Sequence, residues 1–100
     1  LQLELAALGK RCGYTPKREW EVPDRGDGRR GFIDLVWLLD DKILAAIELD
    51  RVYRRKPIFK LKQIQTEAKI WICWSGSSGY FHHLQIPPEI VCIFLERRYG

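Results

Sequence analysis

The sequence predicts an α/β domain built on one mixed β-sheet, and three features predict it. Residues 32–39 (FIDLVWLL), 43–50 (ILAAIELD) and 70–74 (IWICW) are apolar on both faces, the pattern of interior strands. Between the last two, Ile58, Leu61, Ile64 and Ala68 recur at helical spacing. Asp40, Asp41 and Lys42 separate the first two strands, which therefore pair as a hairpin, whereas the strand–helix–strand connection predicts a parallel, right-handed crossover.

The remaining elements follow in order. Leu1, Leu5, Leu8 and Cys12 fall on one stripe of a helix over residues 1–12, with Gly9 and Gly13 loosening its end and Gly13 as C-cap. Residues 17–22 form a short strand stopped by Pro23. Residues 24–31 hold three glycines among charges, which is turn chemistry. Pro57 suits the first turn of the second helix. Gly76 opens a loop that runs through His82 and His83 to Pro87 and Pro88, and residues 90–95 (IVCIFL) make a final strand.

One hundred residues make a single domain, and a 46% hydrophobic share with 12% aromatics is enough to build a core. Seventeen Lys and Arg against thirteen Asp and Glu leave a net charge of +4, which permits a polyanionic partner without specifying one. No apolar run approaches the roughly 20 residues that span a bilayer, so no membrane partner is expected. Cys12, Cys73 and Cys92 are odd in number and lack CxxC spacing, which argues against a zinc ribbon and a disulfide framework and for a cytoplasmic setting. The chain has no Met, so further sequence is expected before Leu1.

Two carboxylates need an explanation. Asp34 interrupts one apolar strand and Glu48 the other. A hairpin centred on Asp41 pairs residues whose numbers add up to 82, as 34 and 48 do. Like charges directly opposite are destabilising, and burying them unpartnered is worse. A divalent cation such as Mg²⁺ or Mn²⁺ is the economical counter-charge for such hard oxygen donors. Asp50, two residues past Glu48, shares its face. The competing reading is a structural ion cluster neutralised by Arg51, Arg54 or a helix lysine. The pairing also depends on an odd-numbered turn, because a two-residue loop would shift the register.

The surrounding charge is lopsided. Arg51, Arg54, Arg55, Lys56, Lys60 and Lys62 precede any acidic residue after Asp50, and Arg25, Arg29 and Arg30 lie just before the Asp34 strand. Such clusters bind phosphate backbones, although each residue alone suits a solvated basic face. His82 and His83 are adjacent and cannot share one site on a strand. The Ser75 to Gly79 loop lacks a P-loop lysine, and Trp20, Trp37, Trp71 and Trp74 read as core.

The order of helix, strand, glycine-bearing turn, a strand with Ile33 and Asp34, a turn, a strand ending Ile47, Glu48, Leu49, Asp50, then helix and strand resembles the PD-(D/E)XK nuclease superfamily. That group includes restriction endonucleases, archaeal Holliday-junction resolvases and very-short-patch repair endonucleases. The likeness covers residues 1–75. It implies a restriction-endonuclease-like fold (an αβββαβ core, here with a C-terminal strand added) and a metal-dependent endonuclease that hydrolyses DNA. Asp34 and Glu48 would hold Mg²⁺ or Mn²⁺, which activates water for attack on the phosphodiester. An acid from the first helix is also implied, with Glu4 as the candidate and Glu19 and Glu21 as competitors. Arg29, Arg30, Arg51, Arg54, Arg55 and Lys56 would contact DNA. Duplex cleavage by such enzymes further implies a homodimer, with residues 90–95 as a candidate contact if that strand is an edge.

One departure matters. The superfamily usually carries Lys two residues after the second acid, where this chain has Asp50. Lys60 or Lys62 on the next helix is the candidate replacement. Otherwise Asp50 is an added metal ligand, or it marks a degenerate module that binds DNA without cutting it. A protein-interaction domain, docking an acidic partner on the basic stretch, is the third alternative.

Overall fold

The computed structural model contains α1 (Gln2–Arg11), β1 (Thr15–Val22), β2 (Gly31–Leu39), β3 (Lys42–Asp50), α2 (Lys56–Gln63), β4 (Ala68–Cys73) and β5 (Ile90–Phe94). It describes residues 1–25, 27–50, 56–73 and 87–95, with backbone alone at 56, 57 and 94. The strands form one sheet in the order β1-β2-β3-β4-β5. β1–β2 and β2–β3 are antiparallel, while β3–β4 and β4–β5 are parallel. The predicted class, the element order and the parallel crossover through α2 are therefore present.

Each face of the sheet carries its own apolar cluster. Val36, Leu38, Ala46, Trp71 and Cys73 meet Ile58 and Leu61 from α2, and Ile64 just after it, on one face. Leu35, Ile47 and Ile72 meet Leu5 and Ala6 of α1 on the other. Alternation along β2, β3 and β4 thus supplies two cores from the same strands. β5 lies at the sheet edge and exposes Val91 and Ile93, and Leu95 just beyond it is exposed too. Among the described residues, no helix is long and apolar enough to cross a membrane. Cys12, Cys73 and Cys92 are free thiols, the first exposed and the second buried.

Three local expectations are corrected. The hairpin turn is two residues, Asp40 and Asp41, with Leu39 paired to Lys42. Both turn residues have positive φ, 50° and 63°, the hand that matches strand twist in tight hairpins. Ala68 does not continue the helix: α2 ends at Gln63, and Ala68 opens β4 opposite Ala45. The packed stripe of α1 is Leu5, Ala6 and Gly9 rather than Leu1, Leu5, Leu8 and Cys12; Leu1 and Leu8 stay exposed and Cys12 does too. Gly9 is the point of closest approach. A Cβ there would lie 2.5 Å from the indole Nε1 of Trp37, whose ring also stacks on Tyr14.

Candidate active site

A two-residue turn on its own would set Asp34 opposite Ile47 and leave Glu48 opposite Ile33. A β-bulge prevents this. Leu38 pairs with Ile43 but Trp37 pairs with Ala45, so Leu44 is an extra residue on β3. Beyond the bulge the register continues through Val36↔Ala46 and Leu35↔Ile47, the register that brings Asp34 level with Glu48. The expected juxtaposition is realised, by a bulge instead of an odd loop.

The β2–β3 ladder ends at Leu35↔Ile47 although both strands run on, and the carboxylates occupy the fork. The amide of Asp34 donates to Glu48 Oε1 (3.2 Å), and the amide of Leu49 donates to Asp34 Oδ2 (2.8 Å). Each strand's carboxylate thereby takes an N–H that the parted ladder leaves over. From α1, the Gln2 side-chain amide donates to the Asp34 carbonyl.

Glu48 is 2% exposed, the one buried charged side chain among the described residues. Its Oε2 lies 3.0 Å from Lys60 Nζ, which also donates to the Phe32 carbonyl at 2.9 Å. Burial first, and then the charge of Asp34, push the Glu48 carboxyl up to about 8 despite the pull of Lys60. Lys60 reaches the fork because Gly31 lets it pass: a Cβ on Gly31 would sit 3.2 Å from Lys60 Cδ.

Of the two candidate lysines, the fold selects Lys60. Lys62 is exposed, and two helical residues turn it about 200° away from Lys60. Asp50 shares the face of Glu48, and its Oδ2 accepts the indole N–H of Trp71 at 3.0 Å. Glu4 is 81% exposed on α1, the helix that covers the opposite face, and the fork does not gather it. Among the described residues no three of His, Cys, Asp and Glu assemble as a ligand group. The donor set is a carboxylate pair, which suits a cation such as Mg²⁺ that keeps waters and takes further oxygens from substrate phosphate.

In the loop before β2, Arg25 forms a two-pronged pair with Asp27 and holds that carboxyl down to about 2, while Arg30 pairs with Glu21 at 3.0 Å. Arg29 is exposed and makes no ion pair among the described residues. Arg51, Arg54 and Arg55 lie outside the described residues, as do the side chain of Lys56, Trp74, the Ser75 to Gly79 loop, His82 and His83. The part sequence reasoning missed is the support around the carboxylates: Gln2, Gly31, Phe32 and Trp71. Only Gly31 left a signal, and that signal read as a turn.

No family model matches the chain, and no significant match is found among curated proteins or solved structures.

Proposed function

We propose that this domain is a divalent-metal-dependent nuclease of the restriction-endonuclease-like type, acting on DNA, with Asp34 and Glu48 as metal ligands and Lys60 as its ammonium. One observation carries the reading: Lys60 Nζ is fixed on Glu48 Oε2 and on the Phe32 carbonyl, so the cation absent from position 50 is supplied from α2. A lysine has three N–H donors, and these two contacts leave one for a phosphate oxygen or an attacking water. Bound Mg²⁺ or Mn²⁺ would supply Lewis acidity and a more acidic water.

The chain's own groups supply the rest. Asp34 spends Oδ2 on the Leu49 amide, and its Oδ1 makes no hydrogen bond among the described residues, which suits it to a ligand's role. Glu48 is oriented from two sides, by the Asp34 amide and by Lys60. The arginine-rich residues 51–55 and Arg29 supply positive charge for a phosphate backbone.

The test is Mn²⁺-dependent cleavage of linear, branched and single-stranded DNA. Glu48→Gln should abolish cutting, and Lys60→Ala should lower it by about 10²- to 10³-fold, the usual loss for one transition-state donor. Cutting by Glu48→Gln at the wild-type rate would overturn the site. Salt-sensitive DNA binding with no cleavage at all would mark the domain as a binding module instead.

A further inference from the structure

A second irregularity meets the fork from the other side. The β1–β2 ladder keeps one register from Thr15↔Leu38 to Val22↔Gly31, and Glu19 opposite Asp34 is the one missing step. Glu19 has φ 54°, a left-handed conformation that is uncommon for any residue with a Cβ and foreign to a strand. At the same step the sheet reverses its alternation. Ile33 packs in the α2-side cluster together with Val36, although residues three apart on a regular strand face opposite ways. Trp20, opposite Ile33, packs on that side too, while Leu35, opposite Arg18, belongs to the other cluster.

Asp34 is the residue at this reversal. Its carboxylate is directed along the sheet, onto the Leu49 amide of β3. Its amide and carbonyl bond to the side chains of Glu48 and Gln2 rather than to a strand. Two strands cannot both turn over within one step while keeping their register unless some residue leaves the extended region. Glu19 is the residue of β1 that does so. Its own carboxylate is exposed, so its part is played by the backbone.

We propose that Glu19 is a positioning residue of the site: its left-handed backbone, opposite Asp34, turns the sheet over there and so aims the Asp34 carboxylate into the fork. The role rests on the metal-site reading above and extends it to a residue that touches neither substrate nor metal. It also separates Glu19 from the role of third carboxylate.

The experiment compares three variants by Mn²⁺ affinity, read by electron paramagnetic resonance, and by thermal unfolding. Glu19→Gly accepts positive φ without strain, and Glu19→Gln keeps the side-chain length without charge. Both should bind Mn²⁺ as wild type does. Glu19→Val disfavours positive φ and should weaken Mn²⁺ by about 10- to 100-fold, the loss typical when a ligand's support is removed. Glu19→Thr replaces it if the valine variant does not fold. Wild-type affinity in the β-branched variant, or weakened affinity in Glu19→Gln, would overturn the proposal. If wild type takes up no Mn²⁺, it is the metal reading that fails. The positioning role is then decided by amide hydrogen exchange at Asp34 and Leu49, where protection should fall in the β-branched variant alone and unchanged protection would overturn it.

Discussion

The two faces of the sheet are built from the same strands and differ in what they bury. Under α1, Leu35, Ile47 and Ile72 meet Leu5 and Ala6 with no buried charge among the described residues. Under α2, one position along β3 from Ile47, a fully enclosed glutamate faces a lysine. The first face is a small, wholly apolar core. The second carries the larger apolar cluster and yet encloses Glu48, with Asp34 beside it. The difference teaches that position 48 is not explained by stability, since a leucine there would complete the α2-side core.

That contrast can be broken by substitution. Leu35→Ala, on the α1 side, should lower the unfolding free energy by about 2–5 kcal/mol in urea titration. A loss below about 1 kcal/mol would show that this face contributes little to stability. Glu48→Gln reads the other face through its pH dependence. The folded carboxyl titrates at about 8 and an unfolded one near 4.5, so between these values the unfolded chain gives up a proton that the folded chain keeps. In metal-free buffer, wild-type stability therefore declines as pH rises from about 4.5 to about 8 and levels off above. Glu48→Gln should lack that decline, so its stability relative to wild type should rise by a few kcal/mol between about pH 4.5 and about pH 8, offset by a pH-independent cost of leaving Lys60 without its carboxylate. Parallel pH profiles for the two proteins would remove the distinction between the faces.

A smaller effect sharpens the comparison at Gly9. Alanine is the better helix former by about 1 kcal/mol. Its Cβ, however, would meet Trp37 at 2.5 Å, and overpacking costs about 1–3 kcal/mol. Gly9→Ala should therefore lower the melting temperature, while the cleavage proposed for the other face should stay unchanged. A raised melting temperature would show that Trp37 moves aside freely.

Legibility in the sequence divides along the same line. Asp34 and Glu48 stood out because a charge in an apolar strand has no ordinary reason to be there, and hairpin register then paired them. An odd-numbered turn is the simplest way to that pairing, whereas the chain places its extra residue at Leu44. A bulge of this kind leaves no trace in residue type. The packed side of α1 was misjudged because its centre is a glycine, which contributes contact without hydrophobicity. Ile64 and Ala68 keep helical spacing past the end of α2, because the loop buries Ile64 and the start of β4 half-buries Ala68 at the same interval. Lys60 and Lys62 were indistinguishable by composition, and only the angle between them on the helix separates them.

The extra residue at Leu44 lets this hairpin absorb a change in chain length. Deleting that one residue would remove neither carboxylate and no turn residue, and would leave a regular ladder in which Leu38 faces Ile43, Trp37 faces Ala45 and Asp34 stays level with Glu48. Keeping Leu44 but pairing it with Trp37 would instead slip β3 by one residue and turn Glu48 to the α1 side. In aligning such sequences, a single-residue gap between the turn and the second carboxylate therefore marks a bulge gained or lost, not a carboxylate displaced.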